Sequence, residues 1–265
     1  MTAPRLRAVL DDIAVESDRL DDLVSPLDEP AWRTPTPADG WDVATSVAHL
    51  AWTDEVALLA ATDKAGWDAV VLTALETAGS VVDDAALAGG AVPPAELLAR
   101  WRTARSRLAG ALAAHDPATR LPWFGPPMSP TSMATARFME TWAHGLDVAD
   151  ALGVAVEPHD RVRHVVHIGV RTRGFSFASN GLDAPTDEVR VELTAPSGEL
   201  WEYGDPGAPQ RVAGPAWDFA LLVTQRRHRS DLALTAEGHE ADRWLDVAQA
   251  FAGPSGGGRT PGAAR

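Results

Sequence analysis

The chain has 265 residues, 45% of them apolar, which is enough for one large domain or two modest ones with a sizeable core. Its 37 acidic side chains against 23 basic ones give a formal charge of -14, which repels nucleic acid and anionic membrane surfaces; the lack of cysteine removes disulfides, zinc knuckles and protein thiol nucleophiles. No apolar run approaches the ~20 residues that span a bilayer, and the start MTAPRLRAVLDDIAVESD has acids where a signal peptide needs unbroken apolar sequence, so a cytoplasmic protein without nucleic-acid or membrane partners is expected.

From Pro4 to about Val24, the residues Leu6, Val9, Leu10, Ile13, Leu20 and Leu23 recur mostly three to four apart, as a helix face requires, and Pro26 stops the run. A loop rich in Pro, Thr and Asp leads to Gly40-Trp41-Asp42, where Asp42 caps a second helix, VATSVAHLAWTDEVALLAATD, with His49 in its middle. A weaker helical stretch covers Trp67 to Ala78, and another helix, ELLARWRTARSRLAGALAAH, follows the Pro93-Pro94 pair and ends before Pro117. In LPWFGPPMSPTS the prolines forbid a regular helix, while Trp123, Phe124 and Met128 are too apolar for an ordinary solvated loop, which makes the segment a candidate cover for a site. Ser132 to Leu152 is helical by period with Gly153 as its stop, and Asp160 begins a further helix, RVRHVVHIGVRTRGFSF.

The remainder changes character. EVRVELTAP alternates branched apolar with charged residues, SGEL supplies a turn, and LWEYGD reads as the partner strand of a hairpin. Gly214-Pro215 opens a helix, AWDFALLVTQRRH; LALTA is a short strand and ADRWLDVAQAF a closing helix. The expected fold class is therefore α+β, with a helical domain over 1–183, a smaller α+β domain over 184–253 and a flexible tail over 254–265, PSGGGRTPGAAR, too polar and small to bury a core.

Glu140 and His144 stand at i and i+4, so both side chains reach one point beside their helix. A tetrahedral metal site needs a third donor, and His49 is the best-placed mid-helix histidine in the first half; helix bundles build metal sites from such inward-facing side chains. The same residues also admit a plainer reading, a helix pair beside a satisfied core histidine. His164 and His167, with Arg171 one turn further on, form a polar helix stripe or a second site; Asp147 and Asp150 orient a ligand or remain exposed charge; Trp142 walls a pocket or simply packs. The pairs Asp11-Asp12, Asp21-Asp22 and Asp83-Asp84 read as solvated faces or caps. Neither a phosphate-binding loop nor a G-x-S-x-G nucleophile elbow is present.

GWDVATSVAHL together with METWAHGLDVADALG resembles the paired signature of the DinB-like, mycothiol-dependent maleylpyruvate isomerase family. The resemblance implies an N-terminal DinB-like four-helix bundle that binds a divalent metal, normally zinc, through the positions matching His49, Glu140 and His144, followed by a small α+β domain. It also implies mycothiol as a thiol co-substrate and, through DFALLVTQR, an active-site arginine at Arg226, with Arg227 adjoining. WFGPPMS, RVRHVVHIGVRTRGFSF and QAFAGPSGGGR depart from the isomerase proper and look like an actinobacterial metal-binding subgroup of undefined substrate.

Three protein ligands leave a coordination position open, as catalytic zinc requires, and a thiol joining zinc loses its proton well below its free value of ~8.5. The expected activity is an isomerase, in which thiolate adds to a cis alkene and leaves after rotation, or a thiol S-transferase, in which it displaces a leaving group. The substrate is a small electrophile whose carboxylate Arg226 would hold. A metal or small-molecule binding protein without turnover and a non-haem iron oxygenase are the alternatives.

Overall fold

Apolar side chains recurring every three to four residues wind the start of the chain into α1 (Ala3–Val24) in the computed structural model, which describes residues 3–77 and 80–262. The chain divides into two compact units, Met1–Ala155 and Val156–Arg265. In the first, α1 is followed by α2 (Glu29–Trp32), α3 (Val43–Thr62), α4 (Lys64–Glu76), α5 (Val81–Gly90), α6 (Pro94–Ala114) and α7 (Pro130–Ala151).

Asp42 caps α3 as its position predicts: its backbone is extended and its carboxylate accepts the Thr45 N–H at 2.7 Å. Asp63 ends α3 and caps α4, accepting from the Gly66 N–H. Fifteen of the twenty α3 residues are buried, because small and apolar side chains on every face let α5, α6 and α7 pack around it. With α1 against α7 and α6 against α3, the long helices form the expected bundle. Its core has Leu20, Trp32, Leu50, Leu97 and Trp101 in one cluster and Leu6, Val9, Leu112 and Met133 in another. Among the described residues, no helix is long and apolar enough to cross a membrane.

Several local features differ from the sequence-based expectation. The third helix begins earlier, at Lys64, and ends at Glu76; its expected last residue, Ala78, lies outside the described residues. The helices α2 and α5 were not expected, since α2 is a single Pro-containing turn and α5 ends in two glycines. The second of these, Gly90, runs so close to α3 that a Cβ there would lie 2.9 Å from Thr45 Oγ1. Asp21 is no solvated face: it is buried and accepts hydrogen bonds from Arg102 and Arg105.

In the second unit a 3-10 turn (Asp160–Val162) leads into α8 (Arg163–Arg171) and α9 (Arg173–Ser179). The single helix expected here is broken at Thr172, whose hydroxyl donates to the Gln249 carbonyl at 2.7 Å as well as to carbonyls of its own helix. Then come β1 (Val189–Thr194), β2 (Leu200–Tyr203), β3 (Gln210–Pro215), α10 (Ala216–Val223), β4 (Thr235–Glu237) and α11 (His239–Val247). The sheet order is β2-β1-β3-β4: the β1–β2 hairpin is antiparallel as expected, β1–β3 is parallel and β3–β4 is antiparallel. The sheet is thus mixed, and β3 occupies residues expected to lead directly into a helix.

The expected domain boundary at 183 differs from the observed division at 155/156. The buried stripe of α8, Val165, Val166 and Gly169, lies against α10, where a Cβ on Gly169 would meet Val223 at 2.9 Å, and α9 packs on α11. Periodicity shows that a helix has an apolar face but not which layer covers it. The tail expected to be flexible also makes contacts: the Gly262 N–H donates to Asp231, and Ser255 and Arg259 line a cavity of about 580 Å³ with Arg227, Arg229 and Leu245. Residues 263–265 lie outside the described residues.

Gly204, at the end of β2, has φ +81°, and a Cβ there would fall 2.1 Å from the Val189 carbonyl oxygen. Gly204→Ala is expected to destabilise the fold by at least about 1–3 kcal/mol, since both the backbone conformation and the space forbid a side chain. A lowered urea midpoint checks this, and an unchanged midpoint contradicts it.

Candidate metal centre

α3 and α7 pack side by side, and the candidate ligands meet between them. His49 Nε2 lies 3.2 Å from Glu140 Oε2, and His144 Nε2 lies 3.5 Å from the same oxygen. The imidazole centroids are 4.6 Å apart. One ligand atom from each residue lies within 4.8 Å of the other two, and among the described residues this is the one such group of three or more His, Asp or Glu side chains. The alternative pair His164 and His167 is in no such group among the described residues.

His49 is buried on the central helix, whereas the Glu140 side chain keeps 22% of its exposure, which leaves one side of the group open to an incoming ligand. Burial pushes the His49 imidazole down to about 4, against the opposing influence of its hydrogen bond to Glu140, so the ring is neutral at pH 7. For Glu140, burial favours the protonated acid, but hydrogen bonds from His144 and His49 and the charge of Arg137 outweigh it and hold the carboxyl well below its usual range. An ionised carboxylate only accepts, so His49 Nε2 donates to it; Nδ1 is then a buried lone pair with no hydrogen-bond partner among the described residues. A neutral imidazole and a carboxylate facing a second imidazole form a donor set that fits a divalent cation, whose ligands must be deprotonated.

Three features surround the group, of which the sequence offered only Asp147, as one of two readings. Asp147, one turn beyond His144, is buried rather than exposed, and its carboxylate lies 3.3 Å from His144 Nδ1, the carboxylate–histidine arrangement that orients metal ligands. Trp41 lies against both imidazoles, with ring centroids 5.1 Å from His49 and 5.5 Å from His144, and also lines an open cavity of about 670 Å³ with Arg33, Asp39, Asp42 and Thr45. The signal for Trp41 was the spacing Trp41, Thr45, His49, which continues one helix face past the cap. Arg137, three residues before Glu140, is buried against Asp54.

Trp142 is fully buried and is a packing residue. The aromatics of the proline-rich segment, Trp123 and Phe124, pack on Trp67, with ring centroids at 5.7 and 5.0 Å. The structure therefore brings His49, Glu140 and His144 together in the first unit. Arg226 belongs to the second unit, on the turn after α10, where its guanidinium donates to the Thr224 carbonyl at 2.7 Å, and Arg227 donates to the Arg226 carbonyl. The turn is tight: the preceding Gln225 adopts φ 58°.

A helical unit with a convergent His/Glu/His group, joined to a unit built on a four-stranded mixed sheet, defines an α+β protein with a candidate metal centre. The fold is that of crystal structures of mycothiol-dependent maleylpyruvate isomerase and of a histidine-to-alanine mutant of it. Each matches with a TM-score of 0.59 over 89% of this chain and 95% of that one, at 15% sequence identity. The chain belongs to the family described as mycothiol maleylpyruvate isomerase N-terminal domain, which matches residues 13–149. Two uncharacterized proteins of Mycobacterium tuberculosis, from strains CDC 1551 and H37Rv, are each 53% identical to it over 248 residues, covering 94% of this chain and 96% of theirs.

Proposed function

We propose that the protein is a metal-dependent enzyme that uses a low-molecular-weight thiol, mycothiol, to isomerise or S-conjugate a small electrophilic substrate. The observation that carries this is the convergence of His49, Glu140 and His144 on one point, with His49 neutral, Glu140 ionised and one side of the group open. A zinc ion held there would lower the pKa of a bound thiol and supply a thiolate at neutral pH, chemistry that a chain without cysteine cannot supply from its own side chains.

The remaining roles fall to the chain. Asp147 orients His144, while Trp41 shields the imidazoles and forms one wall of the cavity in which the body of a thiol or substrate would lie. Arg226 is assigned to a substrate carboxylate, for which its planar fork is suited. In the isomerase form the thiolate adds to a cis double bond, rotation follows, and elimination returns the thiolate with the trans product. In the transferase form it displaces a leaving group, which departs with the electron pair. Calorimetric titration of zinc-loaded and metal-stripped protein with mycothiol tests the reading. Binding is expected to the zinc-loaded protein alone, and equal binding to both would overturn it.

A further inference from the structure

Arg137 and Asp54 are buried charges that the proposed chemistry leaves unused, 3% and 5% exposed on facing helices. Arg137 Nε donates to Asp54 Oδ1 at 3.1 Å, and its Nη2 donates to the Thr53 hydroxyl at 2.7 Å. That hydroxyl in turn donates to the backbone carbonyl of His49 at 2.8 Å. A continuous chain of polar contacts therefore runs from α7, one turn before Glu140, to the residue on α3 that supplies the third candidate ligand.

Stability alone does not account for this arrangement. Desolvating two charges is costly, and an apolar pair of the same volume usually holds two helices as well or better. An apolar pair, however, tolerates small slides and rotations of one helix against the other, whereas a fork of directional bonds does not. A slide of α3 along α7 would change the 3.2 Å separation of His49 from Glu140 directly.

We propose that Arg137 is a positioning residue of the metal centre: with Asp54 and Thr53 it locks α3 to α7 in the register at which His49 meets Glu140 and His144. The inference rests on the reading that these three residues hold a cation. The test uses the full chain loaded with cobalt(II), whose visible spectrum reports ligand geometry. Arg137→Met/Asp54→Leu, which removes both charges at similar volume, is expected to keep the metal-free urea midpoint, lose about 10- to 100-fold in cobalt affinity and show altered cobalt bands. Arg137→Lys, which keeps the charge but lacks the rigid fork that spans Asp54 and Thr53, is expected to fall between the two. Parental affinity and an unchanged spectrum in a folded Arg137→Met/Asp54→Leu protein would overturn the proposal. Should that variant not fold, a parental spectrum for Arg137→Lys would do so. If the parent itself binds no cobalt, the metal-site reading fails, and this inference fails with it.

Discussion

Replacement of His144 by alanine is expected to cost the protein more than the roughly 10- to 100-fold in divalent-metal affinity that loss of an outer-shell partner costs, because it deletes one of only three donors. Its imidazole is also the ring stacked on Trp41 at 5.5 Å, so the change opens the remaining pair to solvent. The His144 side chain is a polar group that keeps 12% of its exposure and belongs to neither apolar cluster, so the metal-free fold is expected to survive. Elemental analysis after loading with zinc, together with a urea midpoint, separates lost ligation from lost fold. Parental zinc content in His144→Ala would refute the ligand assignment.

The second large effect is a pH dependence of stability in the metal-free protein, with two buried groups acting in opposite directions. His49 has its folded value depressed from 6.5 to about 4, so between these values the unfolded chain takes up a proton that the folded chain refuses. Stability is thereby lost as pH falls from 6.5 toward 4, by about 3 kcal/mol over the whole window. Asp54 is the reverse: burial, opposed by Arg137, raises it from 3.8 to about 6, so the folded chain takes its proton first. It adds a stability term of comparable size, about 3 kcal/mol, as pH falls from 6 to 3.8, and that term is lost as pH rises through 6. The two offset each other near pH 5. Asp54→Asn is therefore expected to unmask a loss of stability as pH falls from 6.5 to 4, and His49→Gln to leave a gain as pH falls from 6 to 4. Urea midpoints measured across pH 4–7 check both, and parallel pH profiles for parent and variants would contradict the assignment.

The parts of the fold written in local chemistry were legible in the sequence. Asp42 announced the start of α3, Gly153 (φ +67°) the stop after α7, and the alternation in EVRVELTAP the first strand. The Glu140 and His144 pair is visible because four residues is one helical turn, whereas His49 is the third candidate first as the best-placed mid-helix histidine of the first half and then through a family signature. What was not legible depends on long-range partners. The parallel strand β3 ends in Gly and Pro, and its residues pair with β1, some twenty positions earlier in the chain (Val191 with Val212). Asp54 looks like an ordinary helix-surface acid until Arg137 is seen facing it, and only the contact with His144 decides between the two readings of Asp147. The layer covering α8 was equally invisible, which set the expected boundary at 183 while the observed division falls at 155/156.

The most direct test of the central claim is X-ray absorption at the zinc edge of the zinc-loaded protein, before and after addition of mycothiol. The chain has no cysteine, so the thiol is the natural source of a thiolate ligand. The account predicts nitrogen and oxygen neighbours alone in the first state and one sulfur at ~2.3 Å in the second, with His144→Ala lacking both signals. A zinc shell that mycothiol leaves unchanged would contradict it.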